Sequence, residues 1–258
     1  MNRSILFALA LAAPLAAQTP CEDNQNRNRD RSHCEMREYT LANAGRMVVD
    51  SHTNGGIRVV GSDRTNVLIR AKVQTNAPSA EEAKALAAMV RVEAIPGSVR
   101  ANGPTMLNDR GWAVSYEVLV PRRTALELKA HNGGINISDV DGDIQFETQN
   151  GGVNLERLAG DVKGRTVNGG VKVELAGNTW RGNQLDVATT NGGINITVPE
   201  TYSARLETST VNGNFSSDVP GVQVAKDRRD RNVSVTLGSG GPLLRLVTTN
   251  GGIRLNKS

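Results

Sequence analysis

The chain has 258 residues, of which 38% are hydrophobic and 3% aromatic, and 30 basic residues against 26 acidic give a formal charge of +4. That length is enough for a sizeable core in one large domain or two small ones. A balance so close to neutrality does not call for nucleic acid as a partner.

The N-terminus carries Arg3, an apolar run over residues 5–13 and then Pro14-Leu15-Ala16-Ala17. This is the layout of a secretory signal peptide over 1–17, too short to span a bilayer comfortably. Without it the basic count falls by Arg3 alone, to 29 against 26, or +3. Export to the periplasm, the cell envelope or the medium follows. Thr19 and Pro20 stand where a lipoprotein cysteine at Cys21 would need small residues, and no later stretch is apolar enough for a transmembrane helix. Cys21 and Cys34 would then share an oxidising compartment, where a short disulfide loop is expected. Residues 18–44 are dominated by Asn, Arg, Asp, Glu and Gln, which reads as a polar tether ahead of a folded domain over 45–256.

Within that domain, Ile57 and Val59, then Val67, Ile69, Ala71 and Val73, recur with the period of two expected for half-buried strands. Pro78-Ser79-Ala80-Glu81-Glu82 has the form of a capping box, with Ser79 as N-cap. Ala83, Leu86, Ala87 and Val90 follow at helical spacing. The sequence thus predicts a helix and a hairpin inserted over about 76–104, with Ile95-Pro96-Gly97 as the turn. Trp112, Val114, Tyr116, Val118 and Val120 line one face of a long strand ended by Pro121.

The most repeated feature comes next. Asn-Gly-Gly begins at Asn54, Asn132, Asn150, Asn168, Asn191 and Asn250, with a near-copy at Asn212-Gly213-Asn214. From 132 to 150 to 168 the step is 18 residues each time, followed by steps of 23, 21 and 38. Three and five positions after each asparagine stand apolar residues, Ile135 and Ile137 for example, with Ser217 as the exception. Between them lie Arg58, Asn136, Asn154, Lys172, Asn195, Ser216 and Arg254, the central outward positions of short strands. Thr148, Thr166, Thr189, Thr210 and Thr248 stand two positions before the asparagine.

Two architectures fit this pattern. In a β-meander each Asn-Gly is a hairpin turn. In a β-solenoid, coils stack about 4.8 Å apart and equivalent side chains form ladders. The solenoid accommodates unequal steps better, because a coil can bulge outward where a hairpin's register is pinned by its turn.

Tyr116-Glu-Val-Leu-Val-Pro121, the following Leu126-Glu-Leu-Lys-Ala-His-Asn-Gly-Gly-Ile-Asn-Ile137, and the C-terminal Leu243-Leu-Arg-Leu-Val-Thr-Thr-Asn-Gly-Gly-Ile-Arg-Leu255 pattern preceded by Leu237-Gly-Ser-Gly-Gly-Pro resemble a bacterial family of adhesin-like domains of unknown function. The resemblance covers roughly residues 45–256. It implies an all-β, right-handed β-solenoid with one inserted helix, and it brings no catalytic residues with it.

Other candidate chemistry is thin. Asp139-Val-Asp141-Gly-Asp143 starts like a calcium loop, but its twelfth position is Asn150 where a bidentate glutamate is needed. His33, His52 and His131 form no metal-binding spacing, and the basic run Lys226-Asp-Arg-Arg-Asp-Arg231 is broken by aspartates. A non-catalytic scaffold, with no cofactor or metal, is therefore expected to bind a surface protein or glycan through its Asn-rich face. One alternative is a polysaccharide lyase or hydrolase on a β-helix. Another is an envelope component that self-associates through a free edge in its terminal coil at Ile253-Arg-Leu255.

Overall fold

The computed structural model describes residues 21, 31–105, 109–222 and 231–258. The signal segment at 1–17, most of the stretch from 18 to 30, and the basic run from 226 to 230 lie outside the described residues.

The chain opens with β1 (Ser32–Ala42), β2 (Arg46–Asp50), β3 (Ile57–Ser62), β4 (Asn66–Asn76), α1 (Ala80–Met89), β5 (Arg91–Ile95), β6 (Ser98–Asn102) and β7 (Gly111–Pro121). The repeats supply β8 (Ala125–Asn132), β9 (Ile135–Ser138), β10 (Ile144–Asn150), β11 (Val153–Glu156), β12 (Val162–Asn168), β13 (Val171–Glu174), β14 (Gln184–Asn191) and β15 (Ile194–Val198). The chain ends with β16 (Ala204–Asn212), β17 (Phe215–Ser217), β18 (Asn232–Leu237), β19 (Leu243–Asn250) and β20 (Ile253–Lys257).

Among the described residues these strands form two ten-stranded sheets, ordered β1-β4-β7-β3-β9-β11-β13-β15-β20-β17 and β18-β16-β19-β14-β12-β10-β8-β2-β6-β5. Neither closes on itself. Each repeat contributes one strand to each sheet, with Asn-Gly-Gly at the corner between them. Equivalent strands then pair in parallel: Val153 lies beside Ile135 and Val171, and Ile144 beside Leu126 and Val162. A hairpin would pair consecutive strands antiparallel, so the solenoid-like stack, and not the meander, is what this chain forms. Inward positions from both sheets, among them Ile135, Leu155, Ile194, Leu128, Ile144 and Leu185, are fully buried in one core. Gly164 faces Phe146 across the sheet, where a Cβ would come within 2.4 Å of the ring, so the small residue makes room for the large one.

The inserted helix forms as its sequence signals. The Ser79 side chain accepts a hydrogen bond from the Glu82 N–H, and Ala83, Leu86 and Ala87 are buried. Its last carbonyls are served from outside: the Arg37 guanidinium donates to Ala87 O at 2.9 Å and Val90 O at 2.6 Å, satisfying groups the helix itself leaves open.

Arg37 belongs to a segment expected as tether. Residues 32–42 instead form β1, paired antiparallel with β4 along its whole length. An edge strand needs only one half-buried face, and Tyr39 and Leu41 provide it against the core. The polar composition that suggested disorder belongs to its solvent face. Cys34 on β1 is disulfide-bonded to Cys21.

The stack departs from chain order at both ends. The β2–β3 coil lies between the later β6–β7 and β8–β9, and the final β19–β20 coil inserts between β14–β15 and β16–β17. Ile253-Arg-Leu255 is therefore flanked by β15 on one side and β17 on the other, and the free edge expected there does not exist. The long step of 38 residues before Asn250 gives the chain the length to build the end coil first and return inside it.

Candidate functional site

The corner shared by all the repeats is built from three interlocking contacts. In stack order its asparagines are Asn54, Asn132, Asn150, Asn168, Asn191, Asn250 and Asn212. Each Nδ2 donates to the Oδ1 of the one before, at 3.0, 2.8, 2.8, 2.8, 2.7 and 2.8 Å. An amide carries both donor and acceptor, so the ladder propagates with a single direction. Below it the threonine hydroxyls of Thr148, Thr166, Thr189, Thr248 and Thr210 donate to the carbonyls of Gly133, Gly151, Gly169, Gly192 and Gly251 at 2.8–2.9 Å. The first glycine of each copy sits against the preceding coil. A Cβ on Gly151 would lie 2.2 Å from Gly133 O, and one on Gly169 2.1 Å from Gly151 O.

The second glycine faces the following coil with more room. A Cβ on Gly152 would lie 3.5 Å from Gly170 O, and one on Gly193 3.2 Å from Gly252 O. Asn214 takes this place in the near-copy, in the last coil of the sheet, where no further coil follows. Gly134, Gly152, Gly170, Gly193 and Gly252 thus form a side-chain-free strip along the stack. Their carbonyls accept from the preceding coil, while their N–H groups donate to nothing among the described residues.

Beside this strip runs the row of central outward residues. The register places Arg58, Asn136, Asn154, Lys172, Asn195, Arg254 and Ser216 directly side by side on seven adjacent strands. At a strand spacing of about 4.8 Å the row is roughly 29 Å long. From β9 to β15, strip and row border a shallow, open groove of about 490 Å³, lined by Gly134, Gly152, Gly170, Asn136, Lys172 and Asn195 among others. Lys172 and Arg254 make no ion pair among the described residues. Beyond Arg58 the same row continues into Glu117, Arg70 and Glu38, where both carboxylates pair with the one guanidinium: Arg70 lies 3.2 Å from Glu117 and 3.0 Å from Glu38.

A second outward row, two residues further along each strand, was not legible in the sequence, because its residues lie at or beside the ends of the short strands and keep no single residue type. It holds Ser138, Glu156, Glu174 and Thr197. Glu156 Oε1 accepts from Asn154 Nδ2 at 2.6 Å, and Oε2 lies 3.5 Å from Arg157. Glu156 is thus held beside Asn154, which lines the groove.

The acidic motif near 140 is also engaged by arginines. Arg157 grips both Asp139 oxygens, at 2.9 and 2.8 Å, and holds that carboxyl below the usual range. Asp141 lies 3.9 Å from Arg181. The histidines stay apart. His52 packs tilted against Trp112, with ring centroids 5.5 Å apart, and His33 contacts Glu35 on β1. The described residues bring no three metal-ligating side chains together, and no helix among them is long and apolar enough to cross a membrane.

Solved structures of similar shape include a "putative cell adhesion protein" from Clostridium sporogenes, 11% identical, with 88% of this chain and 100% of that one covered and a TM-score of 0.47. A "putative adhesin" from Bacteroides fragilis is 12% identical over 88% and 97% of the two chains, with a TM-score of 0.36. One from Parabacteroides distasonis is 10% identical over 86% and 97%, with a TM-score of 0.34. No curated protein matches the sequence. The family model Toastrack DUF4097 matches residues 84–256, two thirds of the chain, and the chain belongs to that family.

Proposed function

We propose that this chain is an exported, non-catalytic scaffold, coiled right-handed, that binds an extended glycan along the groove of its first sheet in an adhesive role at the bacterial surface. The handedness follows the strong preference for right-handed crossovers between parallel strands of one sheet, since β8 reaches β10 through β9 in the other sheet. Export follows from the signal-peptide layout at the N-terminus.

The observation that carries the ligand class is the groove's repeat. Glycine N–H groups recur once per strand from Gly134 to Gly252, beside the side-chain amides of Asn136, Asn154 and Asn195, which suits a linear polymer presenting oxygens at a regular step. The aromatic platforms that sugars stack on are absent from it. Binding then rests on hydrogen bonds to hydroxyls, with Lys172 and Arg254 favouring chains that carry carboxylates. Each contact is weak in water, so affinity depends on the number of repeats engaged.

A glycan array comparing linear neutral and uronate-containing chains tests this. We expect retention of linear chains, strongest for uronates, and about a tenfold loss for Lys172→Glu, equivalent to about 1.4 kcal/mol. Binding that ignores Lys172→Glu contradicts the groove. Cleavage of a retained chain, abolished by Glu156→Gln, would instead favour the enzyme reading.

A further inference from the structure

We infer that β18 is a self-association edge, and that its partner is the β18 of a second copy, paired antiparallel across a two-fold axis at Ser234. Each sheet has two outer strands: β1 and β17 in the first, β18 and β5 in the second. Three of these are poor templates for strand addition. β17 has only three residues. β5 carries Arg91 and Glu93, and β1 carries Glu35, Arg37 and Glu38. Charge and shortness are the usual protections of an edge. β18, Asn-Val-Ser-Val-Thr-Leu, has six residues, alternates β-branched and small polar side chains, and carries no charge.

The pairing with β16 determines which groups face outward. Val233 lies opposite Thr208 and Val235 opposite Leu206, and one residue earlier Thr210 N–H donates to Arg231 O at 2.7 Å. Alternation along an antiparallel ladder then turns Arg231, Val233, Val235 and Leu237 toward β16. The N–H and C=O groups of Asn232, Ser234 and Thr236 point away from β16, to a side where no other described strand lies. Two such edges can exchange these groups in one symmetric register, with Ser234 opposite itself and Asn232 opposite Thr236.

That register is self-complementary in side chains as well. Val233 of one copy falls opposite Val235 of the other; both are only partly buried in the single chain. Each Arg231 falls opposite Leu237, so no like charges meet. The groove lies on the other sheet and stays open, and the dimer carries two of them.

The test is made on the mature full-length protein. Sedimentation over a wide concentration range is expected to show a monomer–dimer equilibrium. Ser234→Cys should give a disulfide-linked dimer under mild oxidation, because an antiparallel hydrogen-bonded pair sets the two Cα atoms about 5.5 Å apart, within disulfide reach. Asn232→Cys, which faces Thr236 of the other copy, should not. Ser234→Pro removes an outward N–H without touching the ladder to β16 and should abolish the dimer. Should that variant lose its native circular dichroism, Ser234→Lys serves instead. It puts two like charges at the axis and should weaken association at least tenfold at low salt, with partial recovery at high salt. A wild-type monomer at every concentration overturns the proposal. So does a dimer indifferent to Ser234→Pro and Ser234→Lys, or equal cross-linking through Asn232→Cys.

Discussion

Asparagine, threonine and glycine each have one task at the repeated corner, and the tasks differ from those the dipeptide Asn-Gly usually signals. Asn-Gly ordinarily marks a turn that needs positive φ. Among the Asn-Gly-Gly copies only Gly55 has one. In the other copies the first glycine is required because the coils approach too closely there for a Cβ. Gly151→Ala should therefore cost about 2–3 kcal/mol by overpacking, while Gly152→Ala, one residue on, should cost a fraction of that. Thermal unfolding of the two variants side by side checks this. The sequence already carries a natural version of the contrast, since the near-copy keeps Gly213 and replaces only the second glycine, by Asn214. The recurrence was legible from sequence; its cause was not, because closeness between coils is invisible until they are stacked.

The Asp139–Arg157 pair makes a pH-dependent contribution at the same scale. The Arg157 guanidinium lowers the Asp139 pKa in the folded state. The stability gained is fully present above the unfolded aspartate value of about 3.9 and is lost as pH falls through the lower folded value. Asp139→Asn should remove about 1 kcal/mol at neutral pH, the size of a good partly exposed pair. Its deficit should shrink below about pH 3.9, where the wild type loses the same contribution. Urea unfolding at neutral and acid pH measures both.

At the scale of elements, helix α1 and the strands with clean alternation were readable because each has its own local signal: the Ser79 cap, the stripe from Ala83 to Val90, the run from Trp112 to Val120. Strand β1 was not. Its inward positions include Arg37, Tyr39 and Leu41, and a half-buried arginine that serves a helix end looks like one more charge in a polar stretch. The order of the coils was hidden for a different reason. A serial repeat suggests stacking in chain order, and nothing local marks β19–β20 as the coil that returns to the inside. This insertion has a consequence for stability. Deleting residues 243–258 takes away the strands on which β16 and β17 lean. In a stack whose units touch only their neighbours, losses stay local. Hydrogen exchange in the truncated chain should show β16 unprotected while β10 to β13 keep native protection. Uniform loss of protection would mean the stack unfolds as a single unit.

The whole molecule separates the work of holding the fold from the surface left over. The core and the corner ladders use the repeated residues, and the outward row on the first sheet inherits their spacing without sharing their structural duty. That row was readable in the sequence as seven aligned positions. The flanking row with Glu156 and Glu174, and the glycine strip that turns a flat face into a groove, needed the stacked coils to be seen. The most direct test of the groove is a two-dimensional nitrogen–proton correlation spectrum of the labelled protein titrated with linear uronate oligosaccharides. The backbone amides of Gly134, Gly152, Gly170 and Gly193 and the side-chain amides of Asn136 and Asn195 should shift together, with the second sheet unmoved. Shifts confined to the second sheet, or none with any linear glycan, would contradict it.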